Sequence, residues 1–261
     1  MNWRMISAEL LRVRKNWALA IWMVIMTSGA VAVFFLIAEA FHLDNSVQNG
    51  PPGGAVNFSH PIIIISAIGS IAAAILGTSV GVGDLTSGVF RDMVVTGRSR
   101  VAMFAARVPG MLLFWIPLIA VAYLIGIAFD FALAGGLATP TAAHMIKDGL
   151  WIEMVTSVAL IASMGISSVI GSRGISIGIL LAWQLAVTPL LLNLSVLGVT
   201  REGLLSAATT RVEPAGLGDH GGPNSAAASL HVSMVAAIVV LIGWIVVPLV
   251  IGGWRTATRE A

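Results

Sequence analysis

The sequence predicts an all-α polytopic membrane protein: six transmembrane helices, an interfacial helix at the amino terminus, and an amphipathic cytoplasmic helix between spans two and three. Three observations predict it. Residues of the AVILMFWYC set make up 57% of the 261 positions and charged residues only 10%, against about 25% charged in a soluble domain. The mean hydropathy is +0.96, too apolar for a globule that must coat itself with charge. Six apolar runs of roughly 22 residues follow one another, and about 20 residues cross a bilayer as helix.

Residues 1–16 (MNWRMISAELLRVRKN) precede the spans. Trp3, Ile6, Leu10, Val13 and Trp17 recur at three- and four-residue spacing, which aligns them on one helical face. Arg4, Arg12, Arg14 and Lys15 lie off that stripe. Such a helix rests in the inner interface with its arginines at anionic headgroups. It reads either as a membrane anchor or as a docking surface for a cytoplasmic partner.

The six-span domain covers 17–261, with spans at 17–41, 61–83, 108–129, 150–171, 175–197 and 231–253. The first run is too long for a signal-peptide core and is read as a retained span. Residues 42–60 are rich in Gly, Pro and Asn and predict an irregular outer loop. The turn at Gly171–Gly174 is short enough to make spans four and five a tight helical hairpin. Residues 198–230 form the longest outer connection, with a short interfacial helix expected from Arg201 to Thr210.

Basic residues orient the chain. Arg4, Arg12, Arg14, Lys15, Arg91, Arg98, Arg100, Arg107, Arg173, Arg255 and Arg259 fall on one face; Lys147, Arg201 and Arg211 fall on the other. The positive-inside rule then places both termini in the cytoplasm, with the chain embedded in the inner (plasma) membrane. The pI near 9.7 is accordingly a topology signal, and no nucleic-acid partner is expected.

Several chemistries are excluded or disfavoured. The chain has no cysteine, so disulfides and thiolate metal sites are out. Neither Lys15 nor Lys147 completes a G-x-x-x-x-G-K-[ST] phosphate loop; the chain carries no ATP site of its own and is read as non-catalytic. Glu39, Asp130 and Glu153 lie at the outer ends of their spans and read as boundary residues, while mid-span positions are free of ionisable groups. That suits a lipophilic or amphiphilic substrate better than an ion. His42, His60, His144, His220 and His231 fall on the outer side without ligand spacing, so no metal is expected.

Gly77-x-x-x-Gly81 and Gly174-x-x-x-Gly178 have the spacing that lets helix backbones approach closely, within one subunit or across a dimer seam. Pro109, Pro117, Pro189 and Pro248 are positioned to kink spans three, five and six.

The segment after span two reads Asp84-Leu-Thr-Ser-Gly88-Val-Phe-Arg91-Asp-Met-Val-Val-Thr96-Gly97-Arg98-Ser99-Arg100. Asp84 is suited to cap a short helix and Gly97 to end it, with Val89, Phe90, Met93 and Val94 on one apolar face. Arg98 and Arg100 sit where the helix dipole favours cations.

Here the chain resembles the type-2 ABC transporter permeases, whose corresponding loop reads acid-x-x-x-Gly-Thr-x-Arg-x-Leu-Leu-x-Thr-Pro-x-Ser-Arg. Asp84, Gly88, Arg91, Thr96, Ser99 and Arg100 match; Val89 stands for the usual Thr and Gly97 for the usual Pro. The six-span layout with a leading interfacial helix fits as well.

The resemblance implies the membrane subunit of an ABC exporter that works as a homo- or heterodimer with two copies of a separate ATPase. ATP and Mg would be bound by that partner, with no cofactor in this chain. Residues 84–100 would be the coupling helix, with Val89, Phe90, Arg91 and Met93 as contact residues. Spans one, two and five would border the translocation cavity, which makes Trp183, Gln184, Thr188 and Asn193 the candidates for the substrate pathway. Drug-, antibiotic- or lipid-like amphiphiles are the expected cargo. An ATP-independent channel or secondary transporter, and a scaffold recruiting a cytoplasmic protein, are the alternatives from other classes.

Overall fold

The computed structural model describes residues 3–86 (backbone alone at 84–86), 99–215, 217, 227 and 229–258. Among them every regular element is helical, and six helices are long and apolar enough to cross a membrane. In chain order the elements are α1 (Trp3–Lys15), α2 (Trp17–Asp44), α3 (Ser59–Thr86), α4 (Arg100–Ala132), α5 (Ala142–Ile170), α6 (Arg173–Asn193), α7 (Leu205–Arg211) and α8 (Met234–Thr258). All but α1 and α7 are the long apolar helices, which gives the chain the character of a multi-pass membrane protein.

α5 is the hub. Its backbone lies almost against that of α3: a Cβ added at Gly77 would fall on the carbonyl oxygen of Leu160 and stand 3.1 Å from the Met164 nitrogen. Along the same seam Gly69 meets Thr156 and Gly81 meets Ser167 and Ser168. The residue numbers rise together, so α3 and α5 run parallel. On another side of α5, Gly165 faces the backbone of Pro248 in α8. Small residues therefore carry these contacts by letting main chains approach, as helix packing in lipid requires. Gly77 and Gly81 do this within the subunit, whereas Gly174 and Gly178 have open space where a Cβ would stand.

Gly69 of α3 meets Ile119 of α4 and Thr156 of α5, and one turn before Ile119 stands Trp115, fully buried. Its Nε1 donates to Thr156 Oγ1 at 3.1 Å, and that hydroxyl donates in turn to the Ile152 carbonyl at 2.9 Å.

The termini end of the bundle is assembled by arginines. Buried Arg107 donates through Nη1 to the Gly81 carbonyl at 3.0 Å, and Arg100 reaches the Ala257 carbonyl at 3.5 Å. The Arg12 guanidinium lies beside Gly83 and 3.8 Å from Glu9. Trp3, Trp17, Trp22 and Trp254 are all exposed, side chains suited to a headgroup belt.

The apolar stripe of α1 is divided. Ile6 and Val13 are buried while Trp3 and Trp17 are exposed. The helix crosses α4 at Gly110, where an added Cβ would stand 2.6 Å from Glu9 Cβ and 3.2 Å from the Ile6 carbonyl. Gly110→Leu is expected to oppose this docking by about 1–3 kcal/mol while the long helices stay folded. Tryptic cleavage after Arg12 and Arg14 in micelles should then quicken by roughly five- to 150-fold. Cleavage at the wild-type rate would show that the crossing does not hold α1.

Several boundaries differ from those the hydropathy predicts. α4 begins at Arg100 rather than 108 and α5 at Ala142 rather than 150, because charged residues there are taken into the fold: Arg107 donates to the Gly81 carbonyl, and fully buried Asp148 lies 3.3 Å from His144 Nε2. α6 ends at Asn193, short of 197, and α8 spans 234–258 rather than 231–253. At Gly171 the backbone takes φ +77°, ending α5, and α6 starts two residues later, which is the tight hairpin expected there.

Asp130, read from the sequence as a boundary residue at the outer end of its span, is fully buried. The stretch at Gly53–Gly54 comes down on the end of α4, where Gly53 donates to the Leu133 carbonyl at 3.1 Å and Ala55 to the Ala138 carbonyl at 2.7 Å. The span-end acid is thereby roofed over.

In the outer connection the short helix expected at 201–210 is found at Leu205–Arg211 as α7; 3₁₀ turns over Ser195–Gly203, broken at Gly198, lead into it, and it packs along α8. The Gly203 carbonyl accepts from Trp244 Nε1 at 3.1 Å, ten residues past Met234 and so about 15 Å along that helix. Arg211 at the other end of α7 donates to the Val232 carbonyl at 2.7 Å. The segment thus dips beside α8 and climbs back. Ala207 and Ala208 are buried with Ala237 and Leu241, and their small side chains permit the approach that an interfacial helix would not need.

Candidate functional site

A cavity of about 420 Å³ lies between α3, α5, α6, α7 and α8. Each wall has a distinct origin. α3 contributes Ser66, Ala67 and Ser70, whose small side chains leave the space open. The two serine hydroxyls donate to carbonyls of their own helix, Ile63 at 2.9 Å and Ser66 at 2.6 Å. Ser163 on α5 does the same to Ala159 at 2.6 Å. These hydroxyls are satisfied locally, and that face presents mainly hydrocarbon.

The α6 wall is shaped by its backbone. Residues 183–187 form a π-helical turn, with the Thr188 amide reaching the Trp183 carbonyl five residues back. Pro189, which follows, has no amide to give the carbonyl four residues before it, so the helix widens there. The turn presents Trp183, Gln184 and Thr188 to the cavity. Gln184 makes no side-chain hydrogen bond among the described residues. Asn193 lies outside the cavity and donates to the Pro189 carbonyl at 2.8 Å.

Three indoles frame the space: Trp151, Trp183 and Trp244. Trp183 and Trp244 stand 6.4 Å apart between ring centroids, tilted by 45°. Trp151 Nε1 donates to the Thr209 carbonyl at 3.0 Å, so two of the three also tie the dipping segment to the long helices.

α7 closes one end with Ser206, Thr210 and, just beyond, Glu213. Among the described residues that line the cavity, Glu213 is the one ionisable side chain. Burial, with the Asp148 carboxylate adding to it, pushes Glu213 up to about 7. Hydropathy could not find this residue, because Glu213 falls in a polar connection and meets the cavity only through the dip of α7.

No protein-family model matches this chain, and no curated protein matches it. The site is therefore read from its own chemistry.

The expected coupling residues Gly88, Val89, Phe90, Arg91, Met93 and Arg98 lie outside the described residues. Asp84 falls within α3, which runs through Thr86. Ser99 caps α4, its Oγ accepting from the Ala102 amide at 3.5 Å, and Arg100 bridges to α8.

Among the described residues no group of three or more His, Asp or Glu is placed to hold a metal ion. His42 and His60 contact the carbonyls of Asn49 and Asn57 at 2.6 and 2.9 Å. Residues 174–178 read Gly-Ile-Ser-Ile-Gly, the spacing of a hydrolase nucleophile elbow, but Ser176 is fully buried inside α6. It has none of the exposed strand-to-helix geometry such a nucleophile needs.

Proposed function

We propose that the chain is the membrane subunit of an ATP-driven exporter of amphiphilic molecules, with the ATPase on a separate polypeptide. The observation that carries this reading is the cavity itself. It is bounded by four long apolar helices, has the size of a small-molecule site, and is walled by indoles and aliphatic groups. The resemblance of residues 84–100 to the permease coupling segment supplies the second support. Under this reading both termini are cytoplasmic in the plasma membrane. Two permease subunits work with two ATPases that bind ATP and Mg, and closure of the ATPases switches the cavity between inner and outer access.

The test is purification of the tagged chain from its native membrane, with ATPase activity and co-purifying proteins measured together. A stoichiometric soluble partner bearing a phosphate-loop sequence is expected. Phe90→Asp and Arg91→Glu should uncouple its hydrolysis from transport at least tenfold while the membrane subunit stays folded. A chain that purifies alone, without ATPase activity yet competent for flux in liposomes, would overturn the reading in favour of a channel or secondary transporter.

A further inference from the structure

The two ends of the cavity differ in a way that selects ligands. Over most of its surface the hydroxyls of Ser66, Ser70 and Ser163 are already bonded to their own helices. At the α7 end the buried hydroxyl oxygens of Ser206 and Thr210 make no hydrogen bond among the described residues. They sit on the same face of α7, one turn apart, and Glu213 follows three residues on. Both oxygens are also shielded from the cavity in this conformation, which leaves Glu213 as the charged group lining this end. The nearby arginines do not neutralise it. Arg201 donates to the Leu192 carbonyl at 3.0 Å and Arg211 to the Val232 carbonyl at 2.7 Å, and neither lines the cavity.

We propose that the cavity binds an amphiphilic organic cation, its protonated amine held by Glu213 and its apolar body held among Trp151, Trp183 and Trp244. The carboxylate supplies charge and accepts the ammonium N–H, and the indole faces favour a cation and a flat ring alike. The elevated proton affinity of Glu213 fits a carboxylate without a cationic partner among the described residues. This inference rests on the cavity being the transport site.

Pyrenemethylamine and its neutral N-acetyl derivative separate charge from shape. Binding of each to the purified chain in nanodiscs is read by energy transfer from tryptophan to pyrene, with Glu213→Gln and Trp183→Ala alongside. The wild type should prefer the amine at least tenfold. Glu213→Gln should abolish that preference and leave binding of the amide unchanged, which also corrects for partition into lipid. Trp183→Ala should weaken both probes.

Equal affinity of the wild type for amine and amide, or a preference that survives Glu213→Gln, would overturn the proposal; so would failure to bind either probe with near-ultraviolet dichroism intact. Selective amine binding without ATP-driven flux would sink the exporter reading and leave the cation site standing. ATP-driven flux of the amide and not the amine would do the reverse.

Discussion

Gly77→Ala should destabilise the bundle by about 1–3 kcal/mol, although alanine is the better helix former by about 1 kcal/mol. Gly178→Ala, the same exchange in the other small-residue pair, should be neutral or slightly stabilising. The sign is decided by what the new methyl meets. At Gly77 it falls on the Leu160 carbonyl, a main-chain atom in the middle of α5 that cannot swing aside. Relief requires α3 and α5 to separate along the whole Gly69–Gly81 seam, which also opens the contacts at Thr156 and Ser167. At Gly178 nothing stands within 4 Å, and only the helix propensity remains. Thermal unfolding in micelles, followed by helical dichroism, checks both. Equal midpoints for the two variants would refute the assignment of Gly77 to an intrasubunit seam.

Trp115→Ala should cost about 3–5 kcal/mol, the range for deleting a buried large aromatic side chain. The indole is fully buried, and its loss removes its packing contacts together with the hydrogen bond to Thr156 of α5. Trp115→Phe should cost distinctly less, because a ring still fills most of the space and Thr156 keeps its bond to Ile152. Trp22→Ala is the control: with 62% of its surface exposed, its truncation should change stability by no more than about 0.5 kcal/mol. A small effect for Trp115→Ala would mean that the α3–α4–α5 junction is not the packed centre of the bundle.

Much of the architecture is legible from hydropathy because a membrane span is a one-dimensional signal. Length and apolar content suffice to find six helices, and Gly171 marks the α5–α6 turn through its freedom to adopt positive φ. Charged residues near span ends were harder to place. Arg107 and Asp148 read as loop residues, since sequence does not show that Gly81 and His144 wait to pair with them. Asp130 read as an ordinary boundary residue, since sequence does not show that the Gly53–Gly54 stretch folds over it.

The candidate site was half legible. Trp183, Gln184 and Thr188 stand out as polar or aromatic residues in mid-span, and the π-turn ahead of Pro189 brings all three to one cavity. Asn193 shares their chemistry but sits beyond the point where the wall turns away. Glu213, Ser206 and Thr210 were hidden in a polar connection, where such residues ordinarily face water.

By itself, then, the sequence determined the helical class, the number of apolar helices and the bias of basic residues to one face, all properties that accumulate locally along the chain. Tertiary structure alone decided which glycines are seams, which acids are buried, and which residues share the cavity. The physical reason is that each of those depends on a partner distant in sequence: Leu160 for Gly77, Leu133 for the Gly53 loop, and Trp244 for the dip that carries Glu213 inward.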